Sequence, residues 1–334
     1  MPPRRSARQQ HRTGQLGSSS QPILIPDSPS SIPVDSITTE STTEVTQKPS
    51  SIAILPSKLA SQLPGLTKKG VKLLQFKQQQ LQSPISQIHQ LPDFCDPKDS
   101  AYPWLKEAVD ATLVFAQEEA GTAVCISTEG LILTCSHCVA ECPEELDMDK
   151  IWWLIFASGQ IVQAKTVKWD AQRDLALLRI IAAQSPLSSP PHHSLASPSL
   201  ANLSHLSFPH STLASSPPKP HTRLLCVGHP GSEDLEVSHS GVQTGYDVLH
   251  LSTGRFRGYA KGQDVQDNSE IGALMHDCWT YWGHSGAPLV EMGGGGLVGV
   301  HSSWDDESGM RRGVGWVAIR EFLGDFKDEK LDLE

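Results

Sequence analysis

The 334-residue sequence predicts an all-β protein built of two antiparallel halves, and three features carry that prediction. From Trp104 to Ile181, short apolar runs alternate with Gly, Glu, Ser and Thr turn residues at strand-like intervals. A second series of such runs occupies residues 221–319. Between them lies a stretch, 183–220, rich in Ser, Pro and His and almost free of charge, which reads as a mobile linker or surface insertion. No βαβ alternation is visible, so a meander forming a barrel or a sandwich fits better than a parallel sheet.

Taken in order, residues 1–100 form a low-complexity N-terminal region. Residues 1–57 are rich in Ser, Thr, Pro and Gln and nearly lack aromatics, too little apolar surface to fold, and are expected to be disordered. Arg4, Arg5, Arg8 and Arg12 make a weakly basic tail. Ile23-Leu24-Ile25, followed by Asp27 and Ser28, has the form of a short motif that adds a strand to a ubiquitin-like partner. Val71, Leu73, Leu74, Phe76 and Leu81 among Lys and Gln predict a short amphipathic helix near 66–82, bounded by Pro64 and Pro84.

The folded domain is expected over 101–330. Its first half, about 104–182, holds strand-like runs at 113–115, 123–126, 131–133, 151–156, 161–167 and 175–181. Ser158-Gly159 and Asp170-Ala171 supply turns between them. The second half, about 221–326, holds runs at 224–228, 255–260, 272–275, 289–291, 297–301 and 315–319. Gly293 to Gly296 form a hairpin turn, and residues 320–326 a closing helix.

Charge and cysteine usage exclude several classes. Residues 1–92 carry about +6 and residues 93–334 about −16, within a net charge of −10. An acidic body argues against a nucleic-acid-binding barrel, because duplex binding relies on basic patches that neutralise phosphates. No apolar run approaches the roughly 20 residues of a membrane span, and residues 1–20 lack an apolar signal core. An intracellular protein of cytoplasm or nucleus is expected. Seven cysteines, an odd number in a long chain, read as reduced thiols. Cys135, Cys138 and Cys142 resemble metal spacing, yet no second Cys/His pair accompanies them, so no metal and no other cofactor is expected.

The chemistry concentrates in Tyr281-Trp282-Gly283-His284-Ser285-Gly286-Ala287-Pro288. A serine hydroxyl is a poor nucleophile at neutral pH, so it must be exposed, set beside a base and paired with donors for the oxyanion it creates. Gly283 and Gly286 can take backbone angles that other residues avoid, which lets the N–H groups of Gly283 and Ser285 point at one spot. Two further stretches join it: Thr134-Cys135-Ser136-His137-Cys138 at the end of a strand, and Asp174-Leu175-Ala176-Leu177-Leu178-Arg179 at the start of one. Singly, His137 reads as a core histidine, Asp174 as a turn residue and Ser285 as a tight-turn serine. Only a resemblance to a known family joins them as a base, its orienting carboxylate and a nucleophile.

These motifs resemble those of the trypsin-like (chymotrypsin-fold) serine peptidases over about residues 104–326. The resemblance implies two antiparallel six-stranded β-barrels with a short C-terminal helix. It also implies a serine endopeptidase with catalytic His137, Asp174 and Ser285 and an oxyanion hole at Gly283 and Ser285. Ser303-Trp304-Asp305 looks like the family's substrate-aligning strand, and Gly313-Val314 like its last strand. His284 stands where digestive members carry an acidic residue that pairs with a freshly cut N-terminus, so activation by that route is not expected. Cys138 follows the histidine as in secreted members but lacks their partner cysteine, and Cys125 is a few residues off. The pattern is closer to the intracellular HtrA-like branch, although the chain ends at Glu334, too soon for a PDZ domain. Trp279, six residues before Ser285, falls at the floor of the family's primary pocket and would shrink or redirect it. Asp305 in place of the usual glycine would favour basic residues in the substrate. The alternative to a working enzyme is a trypsin-like pseudo-protease that binds peptides through the same groove.

Overall fold

The computed structural model describes residues 52–83, 103–116, 121–185, 206–232 and 241–331. The basic tail, the Ile23-Leu24-Ile25 motif and the middle of the 183–220 stretch lie outside the described residues. Strand β1 (Ala53–Leu55) and helices α1 (Lys68–Leu81) and α2 (Pro103–Asp110) precede the first barrel. Its strands are β2 (Thr112–Phe115), β3 (Thr122–Cys125), β4 (Leu131–Thr134), β5 (Trp152–Phe156), β6 (Ile161–Asp170) and β7 (Leu175–Gln184). They pair in the order β7-β4-β3-β2-β5-β6, and β6 pairs back onto β7 to close the ring.

The second barrel comprises β8 (Arg223–Gly228), β9 (His250–Tyr259), β10 (Leu274–His276), β11 (Pro288–Glu291), β12 (Leu297–Trp304) and β13 (Arg311–Gly315). Its closed order is β10-β13-β12-β11-β8-β9, and helix α3 (Trp316–Leu331) follows. All pairings within both rings are antiparallel.

The period of two along each strand explains how a continuous apolar run serves two cores. In β2, Leu113 and Phe115 join one cluster with Ile132, Leu154 and Leu178, while Val114 joins another with Val124, Leu133, Ile155 and Leu177. In β8, Leu224 and Cys226 pack with Phe256, Leu274 and Leu289, whereas Leu225 and Val227 face the opposite way. Those opposite-facing residues from both barrels form one shared cluster, which α1, α2 and α3 also cover. The seam between the barrels is therefore apolar core, at roughly 1.5–3 kcal/mol per fully buried Val or Leu.

The structure differs from the sequence-based expectation in three places. Residues 52–82, left to the N-terminal region, belong to the first barrel: β1 runs parallel to the end of β7, and Val71, Leu74 and Leu81 of α1 are buried. The segment 206–214, expected to be mobile, is fixed to both barrels. Phe208 stacks on Phe156 with ring centres 5.9 Å apart, Ser211 N–H donates to Cys125 O, and Ala214 N–H donates to Leu297 O. Last, β13 covers 311–315 rather than 315–319, and the helix begins at Trp316, because Trp316, Ile319, Phe322 and Phe326 are buried at helical spacing.

Candidate active site

Three loops converge where the barrels meet. The first leaves β4, whose end continues into a short 3-10 turn, Ser136–Cys138. That turn presents His137, with 18% of its side chain exposed. The second is the β6–β7 turn, which presents Asp174, fully buried. The third connects β10 to β11 and carries Gly283, His284, Ser285 and Gly286.

Asp174 and His137 are directly bonded. His137 Nδ1 lies 2.9 Å from Asp174 Oδ1 and 3.1 Å from Oδ2. Ser136 Oγ donates to Oδ1 at 2.9 Å, and Ser302 Oγ donates to Oδ2 at 2.6 Å. A buried carboxylate is tolerable only with such donors around it. The arrangement also sets the imidazole tautomer: with Nδ1–H given to the carboxylate, Nε2 carries the lone pair.

The serine turn is held from both barrels. Thr122 N–H donates to Ser285 O at 2.9 Å, and Thr122 Oγ1 donates to Gly283 O at 2.9 Å. Gly286 N–H donates to His301 O at 2.8 Å. Gly286 has φ +83°, and a Cβ there would meet Thr122 O at 2.0 Å, so both conformation and space require glycine. Gly283 has φ +96°. Gly231 N–H donates to Trp282 O at 2.6 Å; in a planar trans peptide the Gly283 N–H then points the other way. Neither the Gly283 nor the Ser285 N–H has a partner among the described residues.

Ser285 Oγ donates to Ser302 O at 3.1 Å. Ser302 thus touches both Ser285, through its carbonyl, and Asp174, through its hydroxyl. The sequence reading took Ser303, with Trp304 and Asp305, as a substrate-aligning strand and did not single out Ser302. The register of β12 against β13 shifts between His301 and Ser303, and this irregularity turns the Ser302 side chain to the carboxylate. The hydroxyl of Ser303 is buried without a partner among the described residues. Ser136, Thr122 and Ser302 carry no motif of their own, so only tertiary contact reveals them.

The remaining residues read from sequence fall around this centre. Trp304 meets Trp282 edge-on at 5.4 Å. Trp279 packs against His250 at 4.5 Å and Tyr246 at 5.1 Å. Asp305 Oδ1 accepts the N–H groups of Glu307 and Ser308, closing its own turn. His284 is buried, and desolvation pushes it down to about 3, so it is neutral. Its Nδ1 lies 3.1 Å from both the N and the O of Tyr281. The Cys138 sulfur, 3.5 Å from Ser285 O, is pushed up to about 12 by desolvation and stays protonated. Cys125, Cys138, Cys142, Cys226 and Cys278 form no disulfide among the described residues. Cys135 Sγ, a ring nitrogen of His137 and a carboxylate oxygen of Asp174 lie within 4.8 Å of one another, but the imidazole and the carboxylate are bonded to each other. No helix among the described residues is long and apolar enough to cross a membrane.

Residues 121–300 match the family model described as trypsin-like peptidase domain. A search of curated proteins gave no significant match. Among solved structures, the chain is similar to Rv3671c from M. tuberculosis in its inactive form, at 18% identity, covering 69% of this chain and 93% of that one, TM-score 0.45. The active form of the same protease aligns at 17% identity over 66% and 83%, TM-score 0.44. A serine endoprotease from Yersinia pestis aligns at 17% identity over 66% of this chain and 64% of that one, TM-score 0.44.

Proposed function

The chain belongs to the trypsin-like peptidase domain family, and from that premise we propose that it is a serine endopeptidase with Ser285 as nucleophile, His137 as base and Asp174 as the carboxylate that orients the base. The observation that carries this reading is the buried Asp174 carboxylate on His137 Nδ1. It leaves Nε2 as the nitrogen able to accept the serine proton.

On this reading the steps follow from the chain's own groups. His137 Nε2 takes the Ser285 proton as Oγ attacks the scissile carbonyl. The resulting oxyanion is met by the N–H groups of Gly283 and Ser285, each such donor being worth roughly 10²–10³ in rate. The imidazolium, stabilised by Asp174, protonates the leaving amine. Water then repeats the sequence on the acyl-enzyme, with His137 again as base. No cofactor takes part in these steps.

A second reading has one observation in its favour. The Ser285 hydroxyl donates to Ser302 O, and in that rotamer it is not given to His137. A chain that keeps it there binds peptides without cutting them. Rotation about one side-chain bond, fast on the scale of turnover, frees the hydroxyl from that acceptor. The ubiquitin-like partner at Ile23, Leu24 and Ile25 is part of the proposal on the sequence pattern alone.

Hydrolysis of a mixed peptide library by the full-length chain tests the enzyme reading. Wild type should cleave, and Ser285→Ala should show no cleavage above background. Equal cleavage by both would place the nucleophile elsewhere. A folded wild type that binds but never cleaves would favour the second reading.

A further inference from the structure

A cleft of about 280 Å³ lies on the second barrel, lined by residues 276–279 on one side and 308–311 on the other. The first wall runs directly into Thr280 and the Gly283–Ser285 turn. The second is the end of the β12–β13 loop together with Arg311, the first residue of β13, which stands opposite Trp304 of β12. Two positions before Trp304 lies Ser302, whose carbonyl accepts the Ser285 hydroxyl. Each wall is therefore continuous, along the chain or across the sheet, with residues that carry or touch the proposed nucleophile.

Arg311 is held in this cleft in one posture. Its Nε donates to Thr280 Oγ1 at 3.2 Å, its Nη1 to Gly309 O at 2.9 Å, and its guanidinium lies 5.6 Å from the Trp304 ring centre. No carboxylate pairs with it among the described residues. The acidic residue in the cleft wall, Asp277, is already engaged: it pairs with Arg257 and accepts the N–H of Arg255. His276, on the same wall, is buried and neutral. Arg311 is thus the unmatched charge of the cleft. A fixed guanidinium suits a carboxylate, which it can bond through two N–H groups at once. A basic side chain would meet like charge there, and an apolar one would desolvate the guanidinium without a partner.

Resting on the peptidase reading above, we propose that Arg311 selects substrates with an acidic side chain, Glu or Asp, on the residue immediately before the scissile bond. Trp279 lines the cleft and Trp304 backs the guanidinium, and the Arg311 guanidinium reads the charge. This reverses the preference for basic residues that Asp305 suggested from sequence.

The test uses acyl-tripeptide coumarylamides, in which the residue before the cleaved bond is fixed by synthesis, on the full-length chain. In parallel, binding of the matching acyl-tripeptide amides is measured on the Ser285→Ala protein, which needs no catalysis. Wild type should prefer Glu over the isosteric Gln by roughly tenfold or more, the scale of a charge-assisted bond, and should reject Lys. Arg311→Gln should erase the Glu/Gln difference, and Arg311→Glu should shift the preference to Lys. Tighter, Arg311-dependent binding of the Glu amide without turnover would uphold the pocket and overturn the peptidase reading. Equal handling of Glu and Gln by wild type in both assays would overturn the pocket. Loss of all substrates alike in Arg311→Gln would make Arg311 a purely structural residue and overturn it too.

Discussion

Asp174 has φ +55°, a left-handed conformation that a non-glycine residue takes at a cost of roughly 1–3 kcal/mol. The surrounding turn is clamped hard enough to hold it there. Arg173 pairs with Asp170 at 2.9 Å and Asp325 at 3.0 Å and donates to Gln266, while Asn268 N–H donates to Gln172 O. Strain held by contacts from the other barrel and the closing helix fixes the carboxylate against His137. Asp174→Asn preserves the size of the side chain, but its amide can favour the wrong imidazole tautomer. Turnover at neutral pH is expected to fall roughly 10⁴-fold, measured as kcat/KM on any responsive peptide; a variant within tenfold of wild type would remove Asp174 from the mechanism. His137, Asp174, Ser285 and Gly283 stand out in the sequence only because the runs around them resemble a family's motifs; singly each reads as an ordinary residue. Ser302 and Arg311 do not, since their roles depend on a strand irregularity and on a neighbour some thirty residues away.

At the scale of elements, strands with strong apolar runs can be read because local pattern and burial agree. The misread elements are those stabilised from a distance. β1 is three residues in a Ser- and Pro-rich setting, and its partners Ala182, Ala183 and Gln184 lie far along the chain. Helix α1 is visible as a period, but its docking is not. Thr67 Oγ1 accepts the Gly70 N–H at its start, the Trp153 indole donates to Pro64 O, and Gln78 donates to Gly159 O. Its buried face even includes Lys77, whose Nζ donates to Phe115 O at 2.7 Å and which burial pushes down to about 7. A lysine in that row looks like a solvated position from sequence. Segment 206–214 misleads in the other direction, because its Ser/Pro-rich composition hides Phe208 and the backbone bonds that follow it.

Across the whole molecule, the second barrel and its seam enclose four histidines, His229, His276, His284 and His301, each at most 4% exposed. His276 Nε2 and His301 Nδ1 lie 3.1 Å apart, while His229 Nε2, His276 Nδ1 and His284 Nε2 lack partners among the described residues. Desolvation is the leading cause that holds all four below the ordinary imidazole value, to about 3 for His276 and His284. The groups facing them act both ways: Arg311 lowers His276, His284 and His301, Lys77 lowers His229, and Asp277 raises His276. The native state keeps these rings neutral, whereas the unfolded chain protonates them below about pH 6.5. Stability is therefore full above that value and falls as pH drops from 6.5 toward 3, by up to about 1.4 kcal/mol per pH unit for each ring. Urea unfolding at pH 7.5, 6.5 and 5.5 should show the midpoint dropping mainly in the last interval. An unchanged midpoint down to pH 5 would show that the rings are not buried and neutral.

The central claim is that Ser285 is an activated nucleophile, and reaction with a fluorophosphonate reads that directly because an ordinary serine hydroxyl does not react. The labelled full-length chain is digested and the modified residue located by mass spectrometry. The account predicts a single adduct on Ser285, absent in Ser285→Ala and strongly slowed in His137→Ala. No adduct on a folded wild type, or an adduct that persists in Ser285→Ala, would contradict it.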